Sequence, residues 1–143
     1  MSLVQLVYAS RLTPEASGTQ LTDIVEVSQR NNAAVGVTGA LCFNHSFFLQ
    51  CLEGGREAVN RTYHRIAGDP RHDELMLLRY GPVRQRSFSD WSMGYVPAGA
   101  LTPERLLRHA PTAEFDPLRL DGDAALGLLL DLHEAARRLH PRA

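Results

Sequence analysis

Gln50 is an amide set inside an apolar run, the stretch FFLQCLEG at 47–54, with Phe47, Phe48 and Leu49 before it and Cys51 and Leu52 after it. A run of this kind reads as a buried strand. An amide there needs partners, because an unpaired buried polar group costs roughly 1–3 kcal/mol. The backbone of a neighbouring element is the ordinary way to supply them. Further polar side chains sit at spacings that invite a second reading. Leu21, Ile24, Val25 and Ser28 recur at helical intervals, and the same stripe arrives at Asn31 and Asn32. An asparagine in the left-handed conformation at a helix end accounts for one of these amides better than for two. Arg65 falls in the last turn of another helical segment, with Asp69, Arg71 and His72 just beyond it. A cation near a helix end with a solvated loop after it requires no ligand.

Several chemistries are excluded by composition. Lysine is absent, so the fifteen basic residues are all arginine, which removes Schiff-base catalysis and the phosphate-binding lysine of nucleotide loops. The six histidines form no HxxxH or carboxylate-bridged spacing, and Cys42 and Cys51 make neither a CxxC pair nor a metal pattern. The cysteines read as reduced core residues. Charges of both signs are spread along the chain to a net charge of −1, without the basic footprint of a nucleic-acid binder. No apolar run approaches roughly 18 residues and no leader pattern opens the chain, so no membrane span is expected and the cytoplasm is the expected location.

The elements that must position these residues follow from hydrophobic period and turn chemistry. LVQLVYA at 3–9 predicts a central strand, with Tyr8 on the same face as Val4 and Leu6. Past Thr13-Pro14 and Ser17-Gly18 a helix can start near Thr19 or Thr22. GVTGALCF at 36–43 and FFLQCLEG pair across Asn44-His45-Ser46, Gly54-Gly55 closes that unit, and a helix over 56–67 ends before Gly68 and Pro70. Strands are predicted at 75–78 and 91–96, and helices at 103–109 and 123–139. The order predicts an α+β fold with a ferredoxin-like βαββαββ sheet and two helices on one face. In the last helix Ala125, Leu128, Leu129, Leu132, Ala136 and Leu139 form a wide stripe, so the two C-terminal helices are expected to cover the other face. The expected organisation is a domain over 1–98 and a helical extension over 99–143.

Five segments in this order, LVYASR, RNNAAVGVTGAL, FLQCLEG, GDPRH and SFSDWSMGY, resemble the BLUF domains, blue-light sensors that use flavin adenine dinucleotide. The likeness covers about Leu3 to Tyr95 and implies the same ferredoxin-like layout. It further implies a flavin between the two helices, with Asn31 and Asn32 at its carbonyl and imide edge and Ile24 among the contacts. Tyr8 and Gln50 would lie at the N5/O4 edge, with Arg65, Asp69, Arg71 and His72 around the far ring edge or the phosphates. Excited flavin is a strong one-electron oxidant, and the resemblance implies that Tyr8 supplies an electron and a proton through Gln50. Gln50 suits a relay because a carboxamide is donor at one end and acceptor at the other. Trp91 and Met93 are implied as signal transmitters on a last strand near the flavin.

The resemblance thus implies a stand-alone photoreceptor of the short type, not an enzyme. FAD is the expected cofactor on family habit, with FMN or riboflavin as alternatives. An unidentified downstream signalling protein and a homo-oligomer, dimer or larger ring, are the expected partners. A flavin-free interaction module is disfavoured because Tyr8, Asn31, Asn32 and Gln50 are all present. A small acyl-phosphate hydrolase of the same layout lacks its glycine-rich anion cradle, since only Gly18 lies near Arg11-Leu12-Thr13-Pro14.

Overall fold

Strand β1 (Leu3–Leu12) lies near the middle of a five-stranded sheet of order β4-β1-β3-β2-β5, and every residue from Val4 to Ser10 is buried. The computed structural model describes residues 2–14, 18–91, 94–96 and 98–139, with the side chains of 18–22, Tyr95, Ala98 and Leu139 outside that description. The remaining elements are α1 (Gly18–Ala34), β2 (Thr38–Phe43), β3 (Phe47–Gly55), α2 (Arg56–Ala67), β4 (His72–Pro82), β5 (Gly94–Val96), α3 (Pro103–Leu107) and α4 (Gly122–Leu139). β1 runs antiparallel to β3 and β4, β3 antiparallel to β2, and β2 parallel to β5. The fold is therefore α+β, the expected ferredoxin-like sheet with one strand added.

Because strand side chains alternate between faces, β1 feeds two cores. Val4, Leu6, Tyr8 and Leu12 join Leu41, Leu52, Ile24 of α1 and Val59 of α2 on one side. Val7 and Ala9 join Ala40, Cys42, Leu49 and Cys51 on the other, where Leu106 of α3 and Leu128, Leu129 and Leu132 of α4 cover them. The wide leucine stripe of α4 thus meets the sheet face that the first two helices leave bare.

Turn chemistry fixes the entries and exits. α1 closes at Gly36, whose φ of 72° is left-handed; Val37 N donates to Asn32 O at 2.9 Å and Gly36 N to Ala33 O at 3.4 Å. Neither asparagine is the left-handed cap, so both remain inside the helix with their side chains on its surface. The β2–β3 turn is held by Asn44 Oδ1, which accepts from Ser46 N and Phe47 N. Gly54 and Gly55 extend β3 and lead straight into α2, with Gly55 at its N-cap.

Element lengths differ from expectation where polar residues pair at the sheet edge. β4 spans eleven residues, because Asp73, Arg79 and Tyr80 pair with β1 although they break the apolar pattern. β5 begins at Gly94 among the described residues, and Trp91 precedes it.

The β4–β5 connection is anchored by a carboxylate that the sequence pattern did not single out. Glu53 is fully buried and accepts from Ser87 N at 2.9 Å, Phe88 N at 2.6 Å, Thr38 Oγ1 at 3.2 Å and Gln5 Nε2 at 3.2 Å. Bonds to a charged acceptor are among the stronger ones in proteins, which fixes Phe88 beneath α4.

Candidate functional site

Tyr8 and Gln50 stand opposite each other in the β1–β3 register, on the side of the sheet that faces α1 and α2. The Tyr8 hydroxyl donates to Gln50 Oε1, and both side chains are buried. The NH2 end of the same amide is thereby turned away from Tyr8. Rings surround the phenol: Phe48 lies 6.2 Å away, Tyr63 of α2 5.6 Å and His72 6.4 Å, centroid to centroid. Burial, with Tyr63 and Asp69 adding to it, pushes the Tyr8 hydroxyl well above its ordinary range. Tyr8 is a neutral donor at any physiological pH.

Above this pair a cavity of about 190 Å³ opens between the two helices. Ile24, Asn31 and Asn32 line it from α1, and Thr62, Arg65 and Ile66 from α2. Asp69, Arg71 and His72 complete it from the loop after α2 and the start of β4, with Tyr8 and Gln50 as its floor. Nine residues singled out from sequence are thus brought to one space. Trp91 does not line it; the indole packs in the core on the α4 side. Met93 lies outside the described residues.

Polar groups in the cavity are unequal. Asn32 is buried while Asn31 is exposed, and Asn32 Nδ2 has no hydrogen-bond partner. The helix-closing bond at the Asn32 carbonyl holds its backbone in place, so this orphaned donor is fixed on the wall. A buried amide donor with nothing to bond fits a ligand that offers a carbonyl or imide edge, which a flavin ring does.

At the other end, Arg71 Nη2 meets Asp69 Oδ2 at 2.6 Å and Arg71 Nε meets Asp69 Oδ1 at 3.0 Å. That forked hydrogen bond holds the Asp69 carboxyl below its usual range and raises the Arg71 guanidinium. Arg71 is therefore committed to Asp69. Arg65 is exposed and makes no ion pair among the described residues. His72 Nδ1 lies 2.7 Å from the Ser10 hydroxyl, and burial lowers the His72 pKa although nearby Asp69 opposes this. The imidazole is neutral near pH 7.

Sequence reading passed over Asp23, Val27, Thr62 and Ile66 as lining residues, and treated Ser28 only as a member of a helical stripe. Their signal was present: Ser28 lies four residues from Ile24, and Ile66 four from Thr62, on the faces that carry Asn31, Asn32 and Arg65.

Residues 3–94 match the family model described as sensors of blue-light using FAD. Among curated proteins, the chain is 35% identical over 94 residues to a photoactivated adenylate cyclase subunit beta of Euglena gracilis, covering 64% of this chain and 11% of that protein. It is 36% identical over 85 residues to the blue light- and temperature-regulated antirepressor BluF of Escherichia coli (strain K12), covering 58% and 21% respectively. The chain thus spans only a small part of these relatives. Among solved structures, BlsA in its photo-activated state matches with a TM-score of 0.80 at 30% identity, covering 91% of this chain and 94% of that one. The dark-state structure of BlrB, a BLUF protein, matches with a TM-score of 0.75 at 31% identity, covering 94% and 97%.

Proposed function

The chain belongs to the family of sensors of blue light using FAD, and from that premise we propose that it is a flavin-binding photoreceptor whose light-responsive pair is Tyr8 and Gln50. The observation that carries this reading is the buried Tyr8–Gln50 hydrogen bond on the floor of a cavity whose wall holds an orphaned amide. Bound flavin supplies a chromophore that absorbs blue light and, once excited, is a strong one-electron oxidant. Tyr8 keeps its proton in the dark and holds it against Gln50 Oε1, so loss of an electron from the phenol and transfer of its proton to the amide are coupled by geometry. Gln50, tautomerised or turned about its side-chain bonds, then offers the cavity a different hydrogen-bonding end with no backbone movement.

Holding the cofactor falls to groups at opposite ends of the cavity. Asn32, with Asn31, binds the polar edge of the ring, and Ile24 and Ile66 supply apolar surface to its faces. Arg65 is the cation we assign to a phosphate, because Asp69 already engages Arg71. Roughly 300–1,000 Å³ is usual for a whole ligand of drug size, so this smaller space is assigned to the ring system, with the rest of the cofactor extending beyond it. FAD remains the proposed form on the family description.

We assign the light-sensing role to 1–98 and the output role to 99–143, acting on a partner protein or through a homo-oligomer. No enzymatic activity is assigned to this chain. No helix among the described residues is long and apolar enough to cross a membrane. The buried free thiols of Cys42 and Cys51 suit a reducing compartment, and the cytoplasm is the setting we propose.

The test is spectroscopic. Protein purified in darkness and loaded with FAD should be yellow and should show a small, dark-reversible red shift after blue light. A protein that stays colourless after supplementation with FAD, FMN and riboflavin would overturn the reading.

A further inference from the structure

Trp91, the single tryptophan of the chain, sits in a niche that neither the cavity nor the sheet requires. Its indole lies directly against Gly94, where a Cβ would fall 1.4 Å from Trp91 Cε3 and 1.9 Å from Cδ2. The ring fills the volume of the missing side chain. The imidazole of His133, on α4, meets the indole edge to face at 4.2 Å between centroids and 83° between planes. His133 also contacts the Phe88 ring at 5.2 Å, and its Nε2 lies 3.1 Å from Asp90 Oδ1. One helical side chain therefore touches three residues of a single turn.

That turn is otherwise fastened to the sheet. Trp91 N donates to Phe88 O and Gly39 N donates to Trp91 O, both at 3.0 Å, while Phe88 N is held by Glu53. A leucine at 133 would continue the apolar stripe of Leu128, Leu129 and Leu132 without burying a polar ring. The imidazole adds an orientation-dependent link, through Asp90, to the turn that carries Trp91. The distance from the cavity floor is short in strand terms: Gln50 pairs with Leu41 of β2, Leu41 pairs with Tyr95 of β5, and Gly94 beside it seats the indole.

We propose that His133 is a positioning residue that holds Trp91 on the α4 side of the sheet and couples displacement of the 88–91 turn to α4. This rests on the photoreceptor reading. A light-driven change at Gln50 reaches α4 through this turn only if the turn has different contacts in the two states. The His133 contacts are those that would differ, because they join α4 to the turn through one side chain rather than through a backbone ladder.

The experiment uses the full chain loaded with FAD. Hydrogen exchange over 122–139 is measured in darkness and under blue light for the wild type, His133→Leu, His133→Gln and Asp90→Asn, with acrylamide quenching of Trp91 fluorescence recorded in darkness. All four proteins should keep the red shift at full amplitude. The wild type should show a light-dependent change of exchange in α4. His133→Leu should lose that change and expose Trp91 to the quencher, and His133→Gln, which retains a donor for Asp90, should recover part of both. Asp90→Asn, at an exposed position, should weaken the change without unfolding the protein. A helix that responds to light equally in wild type and His133→Leu, or does not respond in the wild type while the red shift is present, overturns the proposal. Absence of the red shift in the wild type overturns the photoreceptor reading instead.

Discussion

Tyr8 and Gln50 form a buried donor–acceptor pair across the β1–β3 ladder, with the phenol hydroxyl donating to the amide carbonyl. Removing either partner takes this buried bond away from the other, which costs about 1–3 kcal/mol of stability. Tyr8→Phe and Gln50→Leu should therefore both lower the stability of the flavin-free protein while retaining flavin binding, since the walls of the cavity are untouched. Both should lose the red shift. Denaturant unfolding and light-minus-dark spectra check the two halves, and a Gln50→Leu protein that shifts like the wild type excludes Gln50 as the relay.

Asn32 offers a prediction with opposite signs in the two states of the protein. In the flavin-free chain its Nδ2 is buried without a partner, so Asn32→Leu, close to it in size, should raise the melting temperature. With flavin present the same substitution removes the donor from the ring edge. Retention should fall by about tenfold or more, equivalent to about 1.4 kcal/mol or more. Flavin titration followed by fluorescence and thermal unfolding of the stripped protein measure the two effects, and a stabilised variant that binds flavin as well as wild type does refutes the assignment.

How far these relationships were legible in the sequence depends on the range of the contact. Period and turn chemistry located β1, β3, α2 and α4 because each has an apolar stripe or run that local sequence carries unaided. β4 was read as four residues instead of eleven, because an edge strand has one side to solvent and its polar residues pair through backbone alone. The reading offered an asparagine as the cap of α1, and only the backbone shows that Gly36 takes it. Glu53 and His133 were invisible as buried polar residues, since their partners lie 34–35 and 43 positions away for the closest bonds of each. Trp91 was expected on the last strand, but it precedes β5, so strand alternation does not decide where the indole points.

Glu53 should be among the least replaceable residues outside the cavity. Its carboxylate takes the backbone N–H groups of Ser87 and Phe88, which no other described side chain is placed to receive. Glu53→Ala strands both donors and should cost on the order of 3 kcal/mol or more, by about 1–3 kcal/mol for each unsatisfied group. Glu53→Gln keeps one oxygen but turns an NH2 against one of those donors and should lie between Ala and wild type. Chemical denaturation of the three proteins gives the order directly.

His72 predicts a pH dependence of defined sign. Its folded pKa is depressed by burial below the ordinary value of 6.5, so below that value the unfolded chain binds a proton that the folded chain resists. Stability from this group is complete above about pH 6.5 and falls as the pH drops below it, until the folded pKa is passed. The melting temperature of the wild type should decline more steeply between neutral pH and mild acid than that of His72→Gln. The Gln variant retains a polar partner for Ser10 and does not titrate. Equal slopes for the two proteins exclude His72 as a contributor.

Truncation after Gly99 tests how independent the light-sensing segment is. The matched family segment ends at residue 94, which makes a cut near Gly99 attractive. Yet Leu128, Leu129 and Leu132 are fully buried against Val7, Ala9, Ala40, Cys42, Leu49 and Cys51 on the sheet. Three buried leucines at about 1.5–3 kcal/mol each contribute on the order of 5 kcal/mol or more, as much as the whole net stability of a marginal domain. Gly122 strengthens the dependence, because a Cβ there would fall 2.7 Å from Leu78 O, so the start of α4 is packed directly on the β4 backbone. The truncated chain should therefore aggregate or melt far below the full chain. Substituting Leu128→Ser and Leu132→Ser in the full chain should reproduce the loss without shortening it. A truncated protein that is as stable as the full chain would show that α4 is an appendage to the sheet and not half of its core.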